Sequence, residues 1–128
     1  MAILQIRTFP DPILRSKAKP IRVFNDDVKL LTLNMIETIV EARGLGLAAN
    51  QVGILKRIIA LNLPEKEPMI LINPEITNKQ GVREVVEGCL SFPSLLLNIR
   101  RPKEVQVRYQ LFTGDTVTAN FVELAARI

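Results

Sequence analysis

The chain's only thiol, Cys89, lies in the stretch EGCLS (Glu87 to Ser91), with a glycine just before it and a proline four residues after it. A cysteine can fill a core as a small hydrophobe, attack as a thiolate, or ligate a soft metal ion. Both reactive roles want partners. The usual partner is histidine, and the chain has none. A nucleophile here would lack its base, and a single cysteine is more often a buried filler than a functional group.

A second stretch offers different chemistry. GLGLAANQVG (Gly44 to Gly53) places two glycines and two alanines within six positions, which lets a backbone approach a ligand closely. Gln51 then adds a carboxamide that donates one hydrogen bond and accepts another. Taken alone, the stretch reads as a helix end followed by a tight, small-residue turn. No Gly-Lys-Ser/Thr follows, so a phosphate loop is not indicated.

The surrounding pattern says what must hold these residues. NDDVKLLTLNMIETIVEARG predicts one amphipathic helix, capped by Asn25 or Asp26, with Val28, Leu31, Met35, Ile39 and Ala42 on its apolar stripe. Arg43 followed by Gly44 is the expected stop, with the glycine taking the left-handed position. Arg57 to Leu63, Met69 to Pro74, and Val82 to Val86 read as short strands. Val105, Val107, Tyr109 and Leu111 alternate with polar residues, and Thr113 to Asp115 supply turn chemistry before TVTANF resumes the alternation. An antiparallel hairpin follows. The expected architecture is α+β, one long N-terminal helix packed on antiparallel strands, with residues 1–128 forming a single domain. Glu123 to Arg127 are strong helix formers, but the chain stops within about two turns of them.

Composition narrows the class. Apolar residues make up 48% of the 128 and charged ones 23%, ordinary values for a soluble globular protein. One cysteine permits no internal disulfide, which suits a reducing cytoplasm. The opening residues lack the long apolar run of a signal peptide or membrane span. The net charge of +4 is scattered, with small clusters at Arg15 to Lys19 and Arg100 to Lys103. Aromatics are few and tryptophan is absent, so no stacking platform for nucleic acid is expected. A solvated basic surface is the simpler reading.

The two motifs together narrow the reading further. GLGLAANQ followed some forty positions later by EGCLS resembles the peptide deformylases, metallohydrolases that remove the formyl group from the initiator methionine of new proteins. The resemblance extends over FPDPILRSKAKPI, the long helix and LINPEI, from about Ile3 to Ile128. It implies a tetrahedral site for ferrous iron, or for zinc or nickel, built from one cysteine, two histidines and a water. Cys89 matches the thiolate ligand. The family's Gln-His-Glu-x-x-His motif follows an Ala-Arg like Ala126-Arg127, so both imidazoles and the catalytic glutamate would lie beyond Ile128.

By the same resemblance, the Gln51 side chain and the backbone N–H of Leu90 would donate to the formyl oxygen as it becomes an alkoxide. The backbone of Leu45 and Gly46 would pair with the substrate peptide. Glu87 would bear on the methionine pocket or on the groups behind the ligands, against the plainer reading of a surface carboxylate. The loop SFPSLLLNIRRP lacks the arginine that many bacterial members carry shortly after the proline; Arg100 and Arg101 come later.

The expectation is a peptide deformylase-like fold without its C-terminal catalytic helix, inactive by itself and holding no metal stably. It would be bacterial-type and cytoplasmic, its partner a formyl-methionyl nascent chain near the ribosome. Neither a membrane nor a specific nucleic acid is expected, and an apolar patch left bare would favour self-association. The alternative is a non-enzymatic protein that keeps the peptide groove. A basic protein acting at RNA rests on net charge alone.

Overall fold

Asn25 opens the long helix α1 (Asp26–Glu41), its side chain accepting the Val28 N–H at 3.1 Å, with Asp26 and Asp27 at the positive end of the dipole. The computed structural model describes residues 2–127. Val28, Leu31, Met35 and Ile39 are buried as the spacing predicts. Thr32 and Thr38 join them by returning their hydroxyls to carbonyls on the preceding turn, Lys29 and Asn34. Thr38 also accepts the Leu4 N–H at 2.8 Å, which lays the N-terminal segment along the helix.

The helix stop differs from expectation. Arg43, not Gly44, takes the left-handed conformation, at φ 55°. Gly44 N–H donates to Ile39 O and Arg43 N–H to Val40 O, closing the last turn in a Schellman arrangement. Gly44 lets the Leu90 side chain approach closely. A Cβ there would sit 2.7 Å from Cδ1 of Leu90.

The strands are β1 (Gly46–Ala48), β2 (Ile58–Leu61), β3 (Met69–Gln80), β4 (Arg83–Cys89), β5 (Phe92–Arg101), β6 (Glu104–Gln110) and β7 (Thr116–Val122), followed by a short helix α2 (Glu123–Arg127). Five of the strands form one antiparallel sheet in the order β1-β2-β3-β6-β7. Alternation gives this sheet two apolar faces. Ile58, Ala60 and Ile72 point to α1, while Leu61 and Leu71 join Val105, Val107, Tyr109 and Ala126 on the other side. The α+β class follows from this layering.

Four strand expectations need correction. β3 runs past Pro74 to Gln80, because the register shifts between Ile72 and Glu75 and so leaves no ladder partner wanting an N–H from the proline. Asn73, at φ 52°, makes the bulge; its carboxamide bonds both N–H and O of Ile21 and the Gln110 side chain. β4 extends to Cys89, and the segment after it, read as a loop, is strand β5. It pairs with β4 in a separate two-stranded sheet, where Pro93 lies in a strand that has a free edge. Leu111, expected inside, is 40% exposed because β6 ends one residue earlier. The Thr113–Asp115 turn forms as expected, with Gly114 at φ 91°.

Candidate active site

Cys89 sits at the tip of the β4–β5 hairpin, where Leu90 and Ser91 make the turn. It is an exposed free thiol, so the filler reading is corrected: the hairpin stands apart from the main sheet and presents its tip to the cleft. Leu90 turns inward against Gly44 and Ile39, seating the tip on the end of α1.

Gln51 approaches from the opposite wall, in a single 3-10 turn, Ala49–Val52. Its Oε1 accepts the Ala48 N–H at 2.9 Å. Its Nε2 donates to Ser91 Oγ at 3.2 Å and reaches Cys89 Sγ at 3.5 Å. Residues 7–9 tie the two walls together: Arg7 N–H donates to Gln51 O at 2.6 Å, and Phe9 N–H to Ser91 O at 2.9 Å. Asn50 anchors the same loop by donating to Ser16 O.

Below this pair runs the outer edge of β1. Leu45 O accepts the Asn62 N–H on the β2 side, so the alternation of an antiparallel ladder turns the Gly46 N–H and C=O to the open side. Glu87 lies on the hairpin wall, its side chain only 19% exposed, and takes both forks of Arg101. The surface-carboxylate reading is therefore corrected as well. Arg101, seen in the sequence only as a late arginine in a loop, is the residue that holds Glu87. Ser91 was missed too; nothing in its neighbourhood signals a buried hydroxyl.

Leu45, Gly46, Gln51, Glu87, Cys89 and Leu90 thus all line one cavity of about 540 Å³, with Leu61, Ile99 and Leu124 adding apolar walls. Its chemistry is an apolar slot with a carboxamide and a thiol facing each other at one end. As a metal centre the donor set falls short. No three His, Cys, Asp or Glu side chains come together among the described residues, and Glu87, which lines the cavity, is held by Arg101. Cys89 fits one position of a tetrahedral thiolate–imidazole site, and the remaining ligands are not among these residues.

A long helix on an antiparallel sheet, with a hairpin thiol closing over a carboxamide loop, defines an α+β class that comparison makes specific. Residues 3–128 match the family model for polypeptide deformylase. The chain is 43% identical over 118 residues to the peptide deformylase of Desulforudis audaxviator, covering 91% of this chain and 77% of that one. It is 41% identical over 131 residues to that of Thermodesulfovibrio yellowstonii, covering 99% and 79%, and 41% identical over 111 residues to that of Alkalilimnicola ehrlichii, covering 84% and 62%. The crystal structure of the Thermotoga maritima peptide deformylase superposes with a TM-score of 0.94 at 40% identity, over 98% of this chain and 85% of that one. A class I type b peptide deformylase from Acinetobacter baumannii gives 0.96 at 31%, over 100% and 89%. The chain belongs to the polypeptide deformylase family. It spans 62% to 79% of the length of these three sequence relatives. No helix of the described residues is long and apolar enough to cross a membrane.

Proposed function

We propose that residues 1–128 act as one folded unit whose cleft receives the formyl-methionyl end of a nascent peptide, for hydrolysis of the formamide. The observation that carries this reading is the Gln51 carboxamide, held with its Nε2 over Cys89 at the end of an apolar slot. A formyl oxygen placed there would accept from Gln51 Nε2 and from the Leu90 N–H, donors fixed before charge develops. The peptide main chain would add to the outer edge of β1 at Gly46, beside Leu45, and its methionine side chain would enter the apolar slot toward Glu87 and Arg101.

The metal belongs to the finer part of this proposal. Cys89 would supply the thiolate ligand to ferrous iron, zinc or nickel, whose chemistry is to make a bound water nucleophilic at neutral pH. The two imidazoles and the general base must come from outside these 128 residues, and the 128-residue polypeptide by itself neither retains metal nor turns over. The site of action we propose is a bacterial-type cytoplasm, close to the ribosome. The similarity to bacterial peptide deformylases supports it.

The test has two arms. Titration with formyl-Met-Ala-Ser should perturb the amides of Gly46, Gln51 and Leu90, and the unformylated peptide should bind more weakly. Adding a helix bearing Gln-His-Glu-x-x-His in register after Ala126-Arg127 should bring stoichiometric metal and deformylase activity, reduced by Cys89→Ala or Gln51→Ala. Turnover by the unextended chain with ferrous iron under anaerobic conditions would overturn the assignment of the missing groups. Equal binding of both peptides would overturn the assignment of the cleft.

A further inference from the structure

Three polar residues are buried among those described, Thr32, Thr38 and Ser91. The two threonines lie in α1 and return their hydroxyls to helix carbonyls. Ser91 is 2% exposed, lies in no helix, and spends its hydroxyl on a side chain that lines the cleft. That difference needs a reason.

A glutamine's terminal torsion is broad, so a carboxamide facing a cleft has no intrinsic orientation. In Gln51, one contact is local: the Ala48 N–H, which can only donate, fixes Oε1 as the acceptor end. It leaves the amide plane free to pivot about that oxygen. The contacts on Nε2 come from the other wall, to Ser91 Oγ at 3.2 Å and to Cys89 Sγ at the longer 3.5 Å. Ser91 cannot follow a moving amide. Its backbone oxygen is held by the Phe9 N–H, and its side chain has no room.

We propose that Ser91 is a positioning residue: its hydroxyl accepts one N–H of Gln51 and thereby directs the second N–H over Cys89 Sγ, toward whatever acceptor occupies the cleft. Only the nature of that acceptor, a formyl oxygen, rests on the function proposed above.

Side-chain amide NMR on the ¹⁵N-labelled 128-residue chain tests it, with the Gln51 NH₂ pair assigned by its loss in Gln51→Glu. In the wild type the pair should exchange with water more slowly than the exposed glutamine amides, and show cross-relaxation to Ser91 Hβ. Ser91→Ala should raise that exchange by about tenfold, the loss of roughly one net hydrogen bond. Under reducing conditions Ser91→Cys, which keeps an acceptor, should lie between the two. Exchange unchanged in Ser91→Ala, or faster in Ser91→Cys than in Ser91→Ala, overturns the proposal. If Ser91→Ala does not fold, the wild type decides, because absence of the Gln51–Ser91 cross-relaxation also overturns it. A second arm adds formyl-Met-Ala-Ser: affinity should fall in Ser91→Ala but fall no further when Gln51→Ala is already present. If the wild type binds no formylated peptide, the proposed function fails, and amide exchange still judges Ser91.

Discussion

The guanidinium of Arg101 grips both carboxylate oxygens of Glu87, Nη2 at 2.9 Å and Nε at 3.1 Å, across the two strands of the hairpin that carries Cys89. The fork matches the carboxylate plane, which a lysine cannot do. Arg101 is 39% exposed, so solvent screens part of the attraction. Arg101→Ala should cost about 1 kcal/mol, read as a lower urea midpoint, and Arg101→Lys should recover less than half of it. An unchanged midpoint in Arg101→Ala would make the pair decorative.

Gly44→Ala tests the contact between α1 and the hairpin tip. The backbone there tolerates alanine, but the new methyl would meet Leu90 Cδ1 at 2.7 Å and Ile39 Cγ1 at 3.3 Å. Crowding of this kind costs about 1–3 kcal/mol. Adding Leu90→Ala should relieve it, so thermal unfolding of the double variant should show a strongly non-additive cycle. Additive losses would mean the clash is absent.

Asn73 offers a three-way comparison. Asn73→Ala removes its bonds to Ile21 and Gln110 and puts a Cβ-bearing residue without side-chain compensation at φ 52°. A loss of roughly 2–4 kcal/mol is expected by denaturant melting. Asn73→Gly keeps the bulge geometry and should be about 1 kcal/mol better than alanine. Equal losses would assign the whole effect to the hydrogen bonds.

Asp11 gives the pH dependence. The backbone N–H of Ile13 that it accepts, together with the Arg7 guanidinium, holds its carboxyl below the usual aspartate value. A depressed folded-state value contributes stability that is present above the unfolded value and lost as pH falls through the folded one. The group is partly exposed and solvent screens it, so the contribution is small. An NMR titration should place its midpoint below that of an unstructured aspartate, and Arg7→Ala should raise it.

Self-association is the last expectation. Val82, Val86 and Leu96 are 54%, 60% and 70% exposed on the hairpin, beside an apolar slot. Sedimentation equilibrium should show mass rising with concentration, and Leu96→Lys should reduce it. A monomer at all concentrations would show that the patch stays wet.

Much of this was readable in the amino-acid order. The stripe Val28-Leu31-Met35-Ile39 and the alternation from Val105 to Tyr109 gave helix and hairpin, because burial on one face imposes a period. Gln51 and Cys89, singled out by type, and Leu45, Gly46, Glu87 and Leu90, which the family resemblance implied, meet in one cavity. What escaped depends on distance along the chain. Strand β5 was read as a loop; it holds a single proline, Pro93, which a free sheet edge tolerates. Arg43 took the left-handed turn expected of Gly44 because the helix ends one residue earlier, capped by Ala42; what Gly44 supplies is room for Leu90, 46 positions on. Ser91 could not be found at all. A serine's burial depends on which walls close around it.

Residues 7–9 work as a gauge block. They bond both walls through the main chain, Arg7 N–H to Gln51 O and Phe9 N–H to Ser91 O. These two backbone bonds relate the gap between carboxamide and thiol to a length of peptide. Thr8→Ala keeps both bonds and should leave that gap alone, whereas a one-residue insertion there would move both jaws at once.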